Sequence, residues 1–239
     1  GKVYVINPNG VLVGENAEIN AAEFIASTLD VSDQDFLNGG DLQFLGSSES
    51  AVVNLGSITA ENGDAILVAQ IVDNQGEITA PTGMAGLVAG QDVLFMPEGD
   101  QRIRVQRSLE AELETGVINS GLVEAAQAEL KAAGGDVYQL GINQQGVVHA
   151  SGVENVGGRV LLTAESGMIQ HSGVISAVNA DGSGGDVRIG GDFQGKGSEL
   201  PTADYVSVSE SGRIDVSAQA DNQSAGEAIV WSDVQTDFA

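Results

Sequence analysis

The sequence Gly76-Glu77-Ile78-Thr79-Ala80 recurs along the chain as a Gly-x-[Ile/Val]-x-Ala phrase, and this repetition decides the fold. Five other copies, the last of them loose, begin at Gly56, Gly121, Gly146, Gly173 and Gly212. In every copy the third residue is a β-branched aliphatic and the fourth is polar, which is the period-two pattern of a strand with one buried face. Recurrence every roughly 20–27 residues, with two longer gaps, is typical of stacked-repeat proteins.

Most copies of this phrase are followed by a glycine-rich turn and a second aliphatic strand. These second phrases begin at Gly63-Asp64-Ala65, Gly134-Gly135-Asp136, Gly157-Gly158-Arg159, Gly184-Gly185-Asp186 and Gly226-Glu227-Ala228. A unit of strand, turn, strand and turn has the length of one coil of a parallel β-helix, in which strands of successive coils lie about 4.8 Å apart. We therefore predict an all-β solenoid with one inner aliphatic column. Its members are Ile58, Ile78, Val123, Val148, Ile175 and Ile214.

The composition excludes several classes of partner and chemistry. The 239 residues include 9 Lys and Arg against 34 Asp and Glu, a net charge of −25. Phosphate backbones and anionic lipid surfaces repel such a chain, so we expect no nucleic-acid partner. Cysteine is absent, which excludes disulfides, thiolate metal ligands and cysteine nucleophiles. No stretch of the sequence has the length and apolarity of a transmembrane helix.

Two stretches near the start of the chain resemble a known family. They are Lys2-Val3-Tyr4-Val5-Ile6-Asn7-Pro8-Asn9-Gly10-Val11-Leu12-Val13-Gly14 and Ala26-Ser27-Thr28-Leu29-Asp30-Val31-Ser32. Both are similar to the haemagglutination-activity domain of filamentous-haemagglutinin-like exoproteins, which use two-partner secretion. The similarity is strongest to the high-molecular-weight-adhesin type. Residues 187–195 and 229–233 resemble segments that follow this domain in many members of the family.

The resemblance implies a right-handed β-helix that leaves the cell through a partner pore in the outer membrane and remains secreted or at the cell surface. It implies a role in secretion, not catalysis, for the motif Asn7, Pro8, Asn9 and Gly10. Residues 1–50 are then expected to be the C-terminal part of a two-partner-secretion-like domain, continuous with β-helix repeats over 51–239. Family members carry a capping stretch before this motif. We therefore expect the chain to be a piece of a longer protein that does not engage the pore alone.

Two segments interrupt the repeat, near residues 98–136 and 190–205. The first contains Glu124-Ala125-Ala126-Gln127-Ala128-Glu129-Leu130-Lys131-Ala132-Ala133, which is rich in strong helix formers and stops at two glycines. This composition predicts one short helix over roughly residues 123–133, lying outside the solenoid. The second segment is rich in glycine and predicts a loop excursion before the last coil.

Charged residues suggest two surface features. Arg102, Arg104 and Arg107 hold three of the nine cations, and the alternation of Arg102 and Arg104 with Ile103 and Val105 predicts a strand with an outward basic face. This face is either a contact for an anionic glycan or a strand face paired with neighbouring carboxylates, and the alternation alone favours the second.

The position directly after the glycine pairs 134–135, 157–158 and 184–185 suggests the other feature. It holds Asp136, Arg159 and Asp186 in what we expect to be three successive coils, so stacking predicts a ladder of alternating charge.

Enzyme and metal chemistry find little support in the sequence. The turns Asn62-Gly63-Asp64 and 181–186 are acidic and glycine-rich, but the nonapeptide calcium repeat is not in register, which favours ordinary turns. Of the two histidines, His149 occupies an outward polar slot. No Gly-x-Ser-x-Gly elbow and no phosphate-binding loop is present. We expect neither a cofactor nor an enzyme.

These observations favour a secreted, adhesin-like β-helical stalk whose target is a glycan or protein on a host or neighbouring cell. The sequence leaves two alternatives open. The first is a structural subunit of an extracellular filament or sheath, assembled by end-to-end stacking of coils. The second is a glycan-cleaving enzyme with carboxylates in a surface groove, although no cluster marks such a site.

Overall fold

The computed structural model describes residues 1–98, 102–106, 116–133, 140–154, 156–196 and 200–239. The described residues form strands almost exclusively, with one α-helix, α1 (Asp33–Asn38), and one 3₁₀ turn (Phe193–Gly195). In chain order the strands are β1 (Lys2–Ile6), β2 (Val11–Val13), β3 (Glu18–Ala21), β4 (Glu23–Ser27), β5 (Asp30–Val31), β6 (Leu42–Leu45), β7 (Ala51–Asn54), β8 (Ser57–Ala60), β9 (Ala65–Ala69), β10 (Ile71–Asn74), β11 (Glu77–Ala89), β12 (Asp92–Phe95), β13 (Ile103–Gln106), β14 (Gly116–Asn119), β15 (Leu122–Ala132), β16 (Leu140–Gln144), β17 (Val147–Ser151), β18 (Arg159–Ala164), β19 (Met168–His171), β20 (Val174–Val178), β21 (Asp186–Ile189), β22 (Tyr205–Val208), β23 (Arg213–Asp215), β24 (Glu227–Val230) and β25 (Gln235–Phe238).

The coils stack into a parallel β-helix, as predicted from the sequence, and it is right-handed, as the family resemblance implies. Each full coil contributes strands to three faces, whereas the repeat had suggested two strands per coil. Face A contains β3, β8, β17, β20, β23 and the first halves of β11 and β15. Face B contains β1, β4, β9, β18, β21, β24 and the second halves of β11 and β15. Face C contains β2, β7, β10, β14, β16, β19, β22 and β25. Strands within each face pair in parallel with those of the coils before and after them.

The predicted inner column is confirmed by the register of face A. Ile58 pairs with Ile78, and the same column continues through the four other predicted members. The first five are fully buried, and Ile214 packs against the same core while partly buried. A second inner column on face B contains Leu67, Leu87 and Leu130. Burial of these aliphatic columns between coils is the main source of stability of the solenoid.

The prediction of a helix over residues 123–133 is wrong, because this stretch lies in β15. Its first half pairs with β11 and β17, and its second half pairs with β11 and β18. Ala128, Leu130 and Ala132 point into the core at strand spacing. Pairing with two flanking coils therefore overrides the intrinsic preference of Glu, Ala, Gln and Lys for helix.

The helix that the structure contains is α1, which follows face B of an early coil. The side chain of Ser32 caps its first turn by accepting a hydrogen bond from the Asp35 N–H. Gly39 ends the helix at φ +66°, in the left-handed conformation that glycine tolerates best. All described residues of α1 are at least partly exposed, so it packs only lightly on the solenoid.

The largest departures from the coil occur at one corner, between faces B and C. Residues 28–50 and the segment after β11 leave the coil there and form an antiparallel sheet with the order β13-β12-β6-β5. This outer sheet covers the outward side of face B and creates a second core of Ile25, Leu29, Leu42, Phe44, Ile66, Val68, Met84, Val88, Val93, Phe95 and Ile103. The excursion near 190–205 leaves at the same corner and contains the 3₁₀ turn. Strands on either side of residue 50 pair with each other, so the solenoid is continuous there.

Candidate functional site: the turn at residues 7–10 and the outer sheet

The motif residues Asn7, Pro8, Asn9 and Gly10 form an exposed turn between β1 and β2, at the corner between faces B and C. The Asn7 carbonyl accepts a hydrogen bond from the Gly10 N–H (3.1 Å), and the Asn7 side chain accepts one from the Asn9 N–H (3.0 Å). Gly10 has φ +104°, a conformation that side chains strongly disfavour. Proline at the second position fixes the φ that this turn requires. The three residues before Gly10 are exposed, so the turn presents them to solvent.

Two hydrogen bonds attach this turn to neighbouring parts of the molecule. The Asn7 N–H donates to the Ser27 carbonyl of the next coil (2.9 Å). The Ser48 hydroxyl, from the segment between β6 and β7, donates to the Pro8 carbonyl (2.6 Å). Sequence analysis missed Ser48 because its partner lies 40 residues away and no local pattern connects them. The turn is therefore held in one conformation by the folded solenoid.

The strand before the turn is anchored through Glu23. Glu23 accepts a hydrogen bond from the Tyr4 hydroxyl (2.6 Å) and forms an ion pair with Lys2 (2.9 Å). Burial, followed by the hydrogen bond and charge of Glu23, raises the pKa of Tyr4 above its ordinary value. The Tyr4 ring packs edge-on against Phe36 of α1, with 5.0 Å between ring centroids. The first coil, the motif turn and the helix therefore form one connected region.

Of the three predicted arginines the structure describes Arg102 and Arg104, and these two differ in their surroundings. The Arg102 guanidinium makes two hydrogen bonds to the carboxylate of Asp64 (2.8 and 2.5 Å) and lies over the ring of Phe95, 5.3 Å from its centroid. Arg104 is exposed on the outward side of β13. Arg107 lies outside the described residues. Arg102 thus follows the carboxylate-paired alternative, and its side chain ties the outer sheet to the coil.

Two buried charges beneath β13 were also missed by sequence analysis. Glu129 and Lys131 point outward from face B and are 2% and 3% exposed, because β13 covers them. Their side chains form an ion pair of 3.0 Å. Both lie in the stretch that was predicted to be helical, where charged residues usually face solvent. Alternation of Glu129 and Lys131 with Ala128 and Leu130 was the strand signal that could have identified them.

The predicted charge ladder is only partly correct. Arg159 pairs in register with Asp186 and forms an ion pair of 3.3 Å with it. The position beneath Arg159 is occupied by Gln127, so the assignment of Asp136 to that slot is wrong. The physical reason is that β15 passes directly from face A to face B, so its second strand begins earlier than the Gly134-Gly135 turn suggested. Asp136 lies outside the described residues.

Asp186, the last residue of the charge ladder, also belongs to a wider network of ion pairs. Arg188 forms ion pairs with Asp186, Asp192 (3.5 Å) and Glu227 (2.5 Å). Burial raises the pKa of Asp186, and the charges of Arg188 and Arg159 partly offset this effect. These pairs lie beside a surface groove of about 820 Å³ at the corner between faces A and B.

A ladder of hydrogen-bonded polar side chains is buried inside the β-helix, at the corner between faces C and A. The Asn54 amide donates to the Asn74 oxygen (2.8 Å), Asn74 donates to Asn119 (2.8 Å), and Asn119 donates to Gln144 (2.7 Å). His171 occupies the next step in register and is fully buried. Each of these residues lies two positions before a repeat glycine, a signal in the sequence that was not recognised.

The two histidines differ in their surroundings. A ring nitrogen of His171 lies 3.1 Å from the Arg213 carbonyl, and burial lowers the pKa of the ring. His149 lies on the outward side of face A, as predicted, but it is half-buried and its Nδ1 atom contacts the Ser176 hydroxyl.

The described part of the chain lacks two features of other functional classes, a metal-binding cluster and a membrane-spanning helix. No group of three or more His, Asp or Glu side chains is arranged to hold a metal ion. No helix there has the length and apolarity needed to cross a membrane. The carboxylates of Asp64 and Asp181, from the acidic turns, accept hydrogen bonds from Arg102 and Ser183, respectively.

Comparison with known proteins identifies the family. The model of the TPS secretion domain, where TPS denotes two-partner secretion, matches residues 1–177. The chain belongs to this family. The two-partner-secretion part of the resemblance is therefore confirmed. The residues that match the TPS secretion domain run across residue 50 and end within β20.

Two individual relatives agree with this assignment. The chain is 31% identical over 182 residues to the heme/hemopexin-binding protein of Haemophilus influenzae. That match covers 69% of the chain but only 19% of the relative. The crystal structure of the HMW1 secretion domain from Haemophilus influenzae aligns with a TM-score of 0.64 and 26% identity, covering 97% of the chain and 68% of that structure.

Proposed function

We propose that this chain is the export module of a bacterial surface exoprotein, with an outer-membrane pore as its partner. The observation that carries the proposal is the exposed turn of Asn7, Pro8, Asn9 and Gly10 in a TPS secretion domain, held by Ser27 and Ser48. A turn that is presented to solvent and fixed by the folded coil offers a partner a defined backbone surface. The net charge of −25 favours a soluble, extended state before folding.

The stacked architecture suggests how export is driven. Each coil makes most of its contacts with the coils before and after it, so a chain that emerges from a pore can fold one coil at a time onto those already outside. Every completed coil buries aliphatic residues of the inner columns and makes retreat into the pore unfavourable. This mechanism needs no nucleotide or other cofactor, and we propose that the module itself is not an enzyme.

For the parent protein we propose an adhesin-like role, of the haemagglutination-activity type, outside the cell or at its surface. This idea rests on the resemblance of residues 2–14 and 26–32 to such exoproteins. The chain spans only 19% of the heme/hemopexin-binding protein, so most of a parent of that size lies outside this module. The target, a host or neighbouring-cell glycan or protein, would be bound mainly by other parts of the parent. The alternative of a filament subunit is not favoured, because the matching family model and the HMW1 secretion domain point to secretion rather than to assembly.

A secretion assay tests the export proposal. The parent protein is produced together with its pore, and the amount in the medium is compared for wild type and for variants Asn7→Ala and Asn9→Ala. The matched control is Asn62→Ala, an exposed asparagine in another turn. We expect the two motif variants to accumulate inside the cell while the control is secreted normally. Thermal unfolding of each purified chain separates a recognition defect from misfolding, and normal secretion of both motif variants would refute the proposal.

A further inference from the structure

One backbone edge of the outer sheet is closed by side chains instead of by another strand. β13 pairs with β12 on one side, where the Met96 N–H donates to the Arg102 carbonyl (2.7 Å). Hydrogen-bonded and non-hydrogen-bonded positions alternate in an antiparallel pair, so Ile103 directs its N–H and C=O away from β12. Ile103 is fully buried, and a buried backbone group without a partner is strongly unfavourable.

Glu129 and Lys131 satisfy these groups. The two carboxylate oxygens of Glu129 accept hydrogen bonds from the N–H groups of Arg102 and Ile103 (3.1 Å each). The Lys131 ammonium donates to the Ile103 carbonyl (2.5 Å) and pairs with Glu129 (3.0 Å). A buried ion pair is tolerated when further hydrogen bonds satisfy its remaining atoms, and the backbone of β13 provides them.

The neighbouring coils are shaped to accept this strand. Gly86 lies beside Glu129 in the register of face B, and a Cβ atom at Gly86 would lie 2.6 Å from the Cδ1 atom of Ile103. Arg102 adds a second anchor through Asp64, whose carboxylate also accepts the Met84 N–H (2.8 Å). The hairpin of β12 and β13 is therefore attached to three successive coils.

The order of these residues along the chain gives the attachment a direction. Glu129 and Lys131 follow Ile103 by 26 and 28 residues, in a strand that belongs to the next coil. When the chain folds from its N-terminus, the hairpin exists before its caps do. Until β15 is in place, docking would bury the Ile103 backbone groups without partners.

We propose that Glu129 and Lys131 act as an assembly clamp, which lets the β12–β13 hairpin lock onto the solenoid only after the coil containing β15 has formed. Phe95 and Ile103 belong to the apolar core beneath the outer sheet, and these contacts alone hold the hairpin only loosely before that step. The clamp makes locking of the outer sheet depend on completion of the coil beneath it. This inference concerns folding of the chain itself and does not rest on the export proposal.

Pulse-labelling hydrogen exchange during refolding of the 239-residue chain tests the order directly. The Ile103 amide reports the clamp, because its acceptor is Glu129, whereas the Arg104 amide reports the hairpin. We expect the Ile103 amide to become protected from exchange at the same time as the amides of β15. The Arg104 amide can become protected earlier, when the hairpin forms. Protection of Ile103 clearly before β15 would overturn the proposal, because the clamp would then be unnecessary for docking.

Variants test the same contact in the native state. Glu129→Ala removes both acceptor oxygens, so exchange at the Arg102 and Ile103 amides should accelerate about 10- to 100-fold. Glu129→Gln, which keeps one acceptor oxygen, should show a smaller increase and serves if the alanine variant does not fold. Glu124→Gln is the matched control, because Glu124 lies on the same strand but is exposed on face A. Unchanged exchange at Ile103 in the folded Glu129 variants would refute the clamp.

Discussion

At the scale of single residues, His171 combines a titratable ring with full burial. It continues the column of Asn54, Asn74, Asn119 and Gln144, where the other members are amides that never carry charge. Within the described structure, the groups that act on the pKa of its ring are the backbones of Arg213 and Gln144, and no carboxylate is among them to stabilise a positive charge. Protonation would therefore place an uncompensated charge in the core.

This arrangement makes stability depend on pH in a defined direction. Because burial lowers the pKa of His171 below the ordinary histidine value of 6.5, the unfolded chain binds a proton at a higher pH than the folded chain does. The stability that the neutral ring contributes is complete above pH 6.5 and is lost as the pH falls from there through the lower folded-state pKa. We expect the unfolding free energy of wild type, relative to His171→Gln, to fall over this window.

Urea unfolding between pH 5 and pH 8 measures the effect as the difference between the two proteins, which cancels the titration of the carboxylates they share. His149→Gln is the control, because the chain has only two histidines and His149 lies on the surface side of face A. A difference between wild type and His171→Gln that stays constant across this range would contradict the prediction.

At the scale of elements, the amide ladder links strands of face C in consecutive coils. Asn74 of β10 has a central position, because it accepts from Asn54 and donates to Asn119. Asn74→Ala would leave a buried donor and a buried acceptor without partners. We expect a loss of about 2–4 kcal/mol in the free energy of unfolding, measured by urea titration. Asn20→Ala, an exposed asparagine of β3, should change it by less than about 0.5 kcal/mol. Equal losses in the two variants would contradict the role of the ladder.

The elements also show where sequence reasoning succeeds and where it fails. Face A was predicted correctly because glycine and a β-branched residue recur at the same spacing in six of its strands, and the pattern repeats often enough to exceed chance. β15 was assigned as a helix because its residues favour helix in isolation, while the contacts that make it a strand come from β11 and β18. Those partners lie tens of residues away, so no local window contains the deciding interaction.

The candidate site follows the same logic. Asn7, Pro8 and Asn9 were singled out because consecutive residues carry the resemblance to the family, so a local stretch of sequence was enough to identify the motif. Ser48, Glu129 and Lys131 were missed because their roles exist only after the excursions fold back onto the coil. The pairing of Arg102 with Asp64 was foreseen only as a class of interaction, since the two residues are 38 positions apart.

At the scale of the whole molecule, stability should vary along the solenoid, since each coil rests only on its neighbours. Ile78 packs between Ile58 and Val123, whereas Ile214 has one neighbour in the column, Ile175. Ile78 is fully buried, and Ile214 is not. The same substitution at the two positions therefore shows how much of the stability that isoleucine contributes comes from stacking between two coils.

We expect Ile78→Ala to lower the free energy of unfolding by about 2–5 kcal/mol, the range for truncation of a large aliphatic side chain in a closed core. Ile214→Ala should cost less than about 2 kcal/mol, because part of its surface is already in contact with water. Urea unfolding gives both values, and native-state hydrogen exchange should show faster opening of β23 than of β8 and β11 in the wild type. If the two substitutions lower the free energy of unfolding equally and the amides of these strands exchange together, the chain unfolds as a single cooperative unit. Coil-by-coil folding would then lose its energetic basis, because no part of the solenoid could form stably before the rest.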